Sequence, residues 1–335
     1  MKHIKRIKEF QENDFISYNF MSETKMIESN SDIQKNLMSE LEKELGLNFD
    51  DYKKMAEINS FSYEYNIKKF KGEILKEKPD LDFVENVILL GYLKPDSEVI
   101  WYHKGFGDEC ESYLLHYAAY INSVECTNYL LDRGANPLKR DYAWKVALHY
   151  AADSNSVDVA SILIERFPES MEITSYAGWT PLHSACCYGS EMIVRFLIQE
   201  GANKEAETDD LWSPLYIATN NKQYNCVKLL LEYGVDPDTR GSNLWTPLHI
   251  SCMDNHPISL RIAEKLIKNN ANIDAIDFNE MTPLHWAVHH KNKDKIRLLL
   301  RNNANKNIKN IKNRYAWDLA DDSIKADIPE LKPNK

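Results

Sequence analysis

From about residue 108 to residue 320, apolar residues come in pairs of short blocks separated by polar turns. The first block of a pair reads Gly178-Trp-Thr-Pro-Leu-His-Ser-Ala-Cys186, and 33 residues on Leu211-Trp-Ser-Pro-Leu-Tyr-Ile-Ala-Thr219. It returns as Leu244-Trp-Thr-Pro-Leu-His-Ile-Ser-Cys252 and, after 36 residues, as Glu280-Met-Thr-Pro-Leu-His-Trp-Ala-Val288. Weaker copies stand upstream at Ser112–Ala119 and Lys145–Ala152, and Arg314–Ala320 keeps the phase downstream. A second stripe follows each first block: Tyr129–Leu131, Leu163–Ile164, Phe196–Ile198, Leu229–Leu231, Leu266–Ile267 and Leu298–Leu300. Each block predicts a short helix with one apolar face. Thr180, Ser213, Thr246 and Thr282 are N-caps, because their hydroxyls accept a backbone N–H that has no partner inside the helix. Pro181, Pro214, Pro247 and Pro283 suit the first helical position, where no N–H is needed. Gly134, Gly201, Gly234, Asn270 and Asn303 end the second helices in the left-handed conformation that Gly and Asn tolerate.

One such helix pair cannot bury its apolar face alone, and stacking of neighbours does it, so the period predicts a solenoid. The Thr-Pro-Leu-His core and the Gly-Ala-Asn type of turn resemble ankyrin repeats over residues 108–320, as six repeats and a truncated C-terminal cap. The resemblance implies an all-α ankyrin-repeat α-solenoid of helix-turn-helix units joined by β-hairpin-like turns. Two copies depart from the pattern. Phe167-Pro168 replaces the Gly-Ala exit of the second copy, and the fifth is three residues longer around Met253–Ser259.

Outside the array, residues 1–79 read as a helical N-terminal region. Ser31–Gln34 is a capping box; Ile33, Leu37, Leu41 and Leu45 form one stripe, and Tyr63, Ile67, Phe70 and Ile74 another. This region resembles no family. It reads either as a cover for the first repeat or as a separate partner-binding or effector module. Residues 80–107 read as a degenerate first repeat or linker, and Asp96–Gly107 as a long loop carrying Trp101, Tyr102 and Phe106. Residues 321–335 are polar, hold Pro329 and Pro333, and predict a flexible tail.

Net charge changes the picture little: at −10 it argues against wholesale nucleic-acid binding. The longest aliphatic run, Val87–Leu90, is far below the roughly 20 residues of a membrane span. Six cysteines without a Cys-x-x-Cys pair point to reduced thiols, hence a cytoplasmic address with the nucleus as alternative. A monomer is expected.

Candidate chemistry is sparse. His116, His149, His183, His249 and His285 recur one per repeat, but packed helices stand about 8–10 Å apart. Zinc holds imidazoles at about 2 Å, so such a ladder cannot ligate a metal. The resemblance implies that these histidines bridge backbone between neighbours. His285, His289 and His290 lack the further ligands and carboxylate base of a hydrolytic metal site. No phosphate-binding glycine loop and no Gly-x-Ser-x-Gly elbow occur. No catalytic residue, metal or cofactor is assigned, and no enzyme is expected.

What remains is binding. Trp179, Trp212 and Trp245 recur at one repeat position. They either cover the neighbouring hairpin or anchor a partner. The resemblance places them beside a concave groove whose other residues are Tyr176, Asn220, Asn221, Met253, Asp254, His289 and His290. Lys291, Lys293, Lys295, Arg297 and Arg301 begin a basic stretch reaching Arg314, opposed there only by Asp294, whereas Glu205, Glu207, Asp209 and Asp210 crowd one hairpin. The basic stretch is a solvated end, a contact for an acidic protein surface, or a site for anionic lipid or nucleic acid. The resemblance also implies that the turn asparagines Asn136, Asn203, Asn272 and Asn305 can be hydroxylated. The expectation is a non-enzymatic adaptor, inhibitor or assembly chaperone that holds a protein partner. The alternative is an effector whose N-terminal region acts while the array selects the target.

Overall fold

The computed structural model describes residues 98–102 and 109–334, with side chains from Tyr113 onward, all within the unit Ile67–Lys335. The helices expected in residues 1–79, and the effector alternative built on them, lie outside the described residues. So does residue 106.

The described chain opens with strands β1 (Glu98–Tyr102) and β2 (Glu109–Tyr113), paired antiparallel with Glu98 opposite Tyr113 and Tyr102 opposite Glu109. A loop was expected over Asp96–Gly107; most of its first half is instead strand, and β1 and β2 add a two-stranded sheet to described residues that are otherwise mainly helical. Helix pairs follow: α1 (Leu114–Tyr120) with α2 (Val124–Asp132), α3 (Ala147–Asp153) with α4 (Val157–Arg166), and α5 (Pro181–Tyr188) with α6 (Glu191–Gln199). The series continues with α7 (Pro214–Asn220) and α8 (Tyr224–Glu232), α9 (Pro247–Cys252) and α10 (Pro257–Lys268), and α11 (Pro283–His289) and α12 (Lys293–Arg301). The short α13 (Ala316–Leu319) and α14 (Asp322–Asp327) complete it. Odd-numbered helices contact each other in one layer, and the even-numbered helices α2 through α12 form the second.

The N-caps perform as their sequence requires. The hydroxyls of Thr180, Ser213, Thr246 and Thr282 accept from the backbone N–H three residues on. The exits at Gly134, Gly201, Gly234, Asn270 and Asn303 all have positive φ, where Gly and Asn strain the backbone least. After Phe167, which has φ −143°, the second copy leaves through a 3-10 turn, Pro168–Glu172. The core is one continuous row, from Leu114, Tyr117 and Leu130 through Leu182, Leu215, Leu248 and Leu284.

That row does not stop at residue 320. Ile324 on α14, Ile328 just after it and Leu331 on the 3-10 turn Pro329–Leu331 are fully buried. Lys306 donates to the Glu330 carbonyl, and the Asn334 N–H to Asn307. The segment expected to be a flexible tail is therefore the cover of the last repeat. Its three apolar residues are spaced four and three apart, a helical period hidden among charges.

Candidate functional site

Successive repeats are fastened by an imidazole. The Nδ1 of His183, His249 and His285 accepts from the backbone N–H of the preceding threonine at 3.1–3.2 Å. This fixes the proton on Nε2, which donates to the next repeat's backbone: Ala206 and Trp212 at 3.0 Å, Met281 at 3.0 Å and Arg314 at 3.2 Å, respectively. His149 reaches the Trp179 carbonyl at 2.9 Å, and His116 that of Lys139 at 3.0 Å. Burial disfavours the imidazolium, so His149, His183 and His249 are pushed down to about 4 and His116 to about 3. His285 is lowered for the same reason. Both ring nitrogens of His285 are thus engaged, and among the described residues no group of three or more His, Cys, Asp or Glu could hold a metal ion.

In the fourth repeat Tyr216 takes the histidine's place. Its ring lies under Trp212, 5.5 Å between centroids and 14° from parallel. Burial, then the charge of Asp210, push its phenol up to about 12. The next hairpin makes room with Gly241, where a Cβ would sit 3.0 Å from Trp212 Cδ1 and 3.3 Å from Tyr216 Cε2. The Ser213 and Thr239 hydroxyls, 2.9 Å apart, make a further link across this junction.

The three tryptophans are half-buried at the hairpin end of the first-layer helices, but they are not equivalent. Trp245 Nε1 donates to Asp277 Oδ2 at 3.1 Å, and Trp286 Nε1 donates to the same oxygen at 2.9 Å. Asp277 Oδ1 accepts the Asn279 and Met281 N–H groups, so this buried carboxylate is saturated. For Trp179 and Trp212, the indole N–H has no protein acceptor among the described residues. Only those two keep a donor for a partner.

Tyr176 stands at the same end, 74% exposed. Asn220, Asn221, Met253, Asp254, His289 and His290 lie at the opposite ends of the first-layer helices, about 10 Å away for a helix of seven residues. The expected set therefore forms two rims rather than one cluster. Trp286, absent from that set, joins them: it meets Trp245 edge-on at 5.7 Å, stacks on His290 at 5.8 Å and meets His289 edge-on at 5.8 Å. Its sequence signal was an aromatic with histidines three and four residues on. Burial, then His289, lower the pKa of His290.

Two expectations change here. Asp254 is not a free groove carboxylate. It accepts from Ser259 Oγ at 3.0 Å, Lys295 Nζ at 3.1 Å and the His256 N–H at 3.1 Å, and it pairs with Lys222 at 3.3 Å. Burial alone would raise its pKa, but the Ser259 and Lys295 hydrogen bonds outweigh that and hold it down to about 2. Lys295 is fully buried and also donates to the Asp254 carbonyl, so it belongs to no basic surface. It occupies the position of Val159 and Ile193 in earlier repeats, and it fixes the longer loop of the fifth. Lys291 pairs with Asp321, Lys293 with Asp327 and Arg297 with Asp294, which leaves Arg301 as the exposed member of the five without an ion pair among the described residues. The acids that pair with Lys291 and Lys293 lie beyond residue 314, outside the basic stretch itself.

The hairpin tips form a ribbon. The N–H groups of Tyr176, Asp209, Ser242, Phe278 and Ile311 each donate to a carbonyl of the preceding tip, Ala143, Ala177, Asp210, Asn243 and Asn279, at 2.9–3.3 Å. No helix among the described residues is long and apolar enough to cross a membrane.

Comparison with known proteins agrees with this architecture. Residues 80–176, 167–241 and 237–310 match the family model described as ankyrin repeats (3 copies). The human ASB11 ankyrin repeat domain is 28% identical over 67% of this chain and all of its own, with a TM-score of 0.60. The ankyrin repeat domain of Bcl-3, a member of the IkappaB protein family, is 24% identical over 65% of this chain and 98% of its own, with a TM-score of 0.58; that likeness concerns the fold alone. Human protein phosphatase 1 regulatory subunit 27 is 56% identical over 34 residues, 10% of this chain and 22% of that protein.

Proposed function

The chain belongs to the ankyrin repeat family, whose arrays are generally protein–protein interaction modules, and from that premise we propose that it is a non-enzymatic binding protein holding a protein partner along its first helical layer and hairpins. The observation that carries this reading is the division among the tryptophans. Trp179 and Trp212 keep half-exposed rings and undirected indole N–H groups, while Trp245 spends its N–H on Asp277. Half-buried tryptophans are common interface anchors because they bring large area at small entropic cost. Asn220, Asn221 and His289, exposed on the far rim, supply polar contacts. The partner is a protein rather than nucleic acid, since the cations at residues 291–297 are paired or buried. The buried thiols of Cys126, Cys186, Cys226 and Cys252 suit a reducing compartment, cytoplasm or nucleus.

A photo-crosslinking residue at Asn220 tests this. It is expected to give discrete protein adducts that disappear when Trp179 and Trp212 are changed to Ala. The same residue at Arg195, on the second layer, is expected to give none. Adducts from Arg195 alone, or adducts at Asn220 indifferent to both tryptophans, would refute it.

A further inference from the structure

Seven large apolar side chains stand exposed on consecutive hairpin tips: Tyr142 and Trp144, then Tyr176, Leu211, Leu244, Phe278 and Ile311. Three of them occupy backbone that disfavours them. Trp144 has φ 61°, Leu211 60° and Leu244 58°, the left-handed region, where a side chain without a local hydrogen bond is strained. The equivalent position of the last hairpin holds Asn313 at φ 57°, an ordinary occupant. Leu211 and Leu244 thus combine backbone strain with exposed apolar surface, and neither belongs to the hydrophobic core. The tip between Tyr176 and Leu244 also presents Glu207, Asp209 and Asp210, all exposed. None of these three carboxylates takes part in an ion pair among the described residues.

We propose that the tips of the third to fifth repeats bind an extended peptide segment that carries arginine or lysine between two large apolar residues. The proposal rests on the protein-binding reading above and names the chemistry of the partner. Neighbouring tips stand roughly 10 Å apart, the spacing of packed helices. An extended strand advances about 3.3 Å per residue, so tips two repeats apart are spanned by about six residues. Alternate residues of a strand face one side. The segment therefore carries its apolar residues about six positions apart, over Tyr176 and Leu244. Its basic residue lies two or four positions after the first, against Asp209 and Asp210. Leu211 packs between them.

The full chain is used to select from a phage library of random dodecapeptides, and the enriched peptides are synthesised. The expected result is enrichment of this apolar–basic–apolar spacing. Binding is expected to weaken about tenfold in Asp209→Asn/Asp210→Asn and to fall between low and physiological salt. Leu211→Asn/Leu244→Asn is the sharper variant, because asparagine relieves the left-handed strain: the thermal midpoint holds or rises while peptide affinity drops at least about tenfold. Enrichment of acidic peptides overturns the proposal. So does equal binding to the Leu211→Asn/Leu244→Asn protein. If enriched peptides are lost only on Trp179→Ala/Trp212→Ala, the proposal fails and the protein-binding function stands. If no peptide is enriched, the proposal fails, and the crosslinking at Asn220 decides the broader reading by itself.

Discussion

The fourth-to-fifth junction and the fifth-to-sixth junction solve one problem with different chemistry. At the second, His249 bridges to the Met281 carbonyl, and Trp245 is held by the buried Asp277 carboxylate. At the first, Tyr216 replaces the imidazole, Gly241 replaces the corner carboxylate, and Trp212 is held by a stacked ring and a hydroxyl pair. One junction relies on directed hydrogen bonds with a protonation state, the other mainly on shape. Junctions of the same fold therefore differ in what can damage them.

Acid separates the two most strongly. His149, His183 and His249 titrate near 4 when folded and near 6.5 when unfolded, so above pH 6.5 both states are neutral and nothing is lost. As pH falls from 6.5 toward 4 the unfolded chain takes up protons that the folded chain refuses. Each unit in that window costs about 1.4 kcal/mol per histidine, an order-of-magnitude figure. Unfolding free energies from urea titrations between pH 7 and pH 4.5 are expected to fall by several kcal/mol in total, roughly the sum over these histidines. His249→Tyr, made with Asp277→Gly to imitate the other junction, is expected to flatten that slope by about one histidine's share. An unchanged slope would show that His249 does not titrate with unfolding.

Asp277→Ala comes next. It strips the acceptor from two indoles and two backbone N–H groups at once. A loss of about 3 kcal/mol or more is expected in chemical denaturation, since charge-assisted hydrogen bonds contribute about 1.5–3 kcal/mol each. Gly241→Ala, its counterpart, places a methyl 3.0 Å from the Trp212 ring. It should cost about 1–2 kcal/mol and shift tryptophan fluorescence, because overpacking displaces rings rather than orphaning polar groups. The smallest difference is between the tryptophans themselves. Trp245→Ala should destabilise by about 1 kcal/mol more than Trp212→Ala, the worth of one net hydrogen bond. Equal losses would mean that the Asp277 contact contributes nothing.

Much of this was legible in the chain. The period, the Thr-Pro starts and the Gly or Asn exits determine the helix pairs, because each is a local backbone requirement. Fates decided across repeats were not legible. Nothing local to Lys295 says that its ammonium is buried against Asp254, 41 residues earlier. Nothing around Trp245 shows that Asp277 consumes its N–H. The last residues were misjudged because Ile324, Ile328 and Leu331 are few and set among charges, and their burial depends on the repeat beneath them.

The bonds between hairpin tips all join equivalent atoms, one module apart. A whole module could be excised or duplicated and this backbone ribbon would reseal without a gap. The side chains are less forgiving: Tyr216 needs a glycine ahead of it, and Trp245 a carboxylate. The main chain leaves the modules transposable, and such matched pairs write down their order.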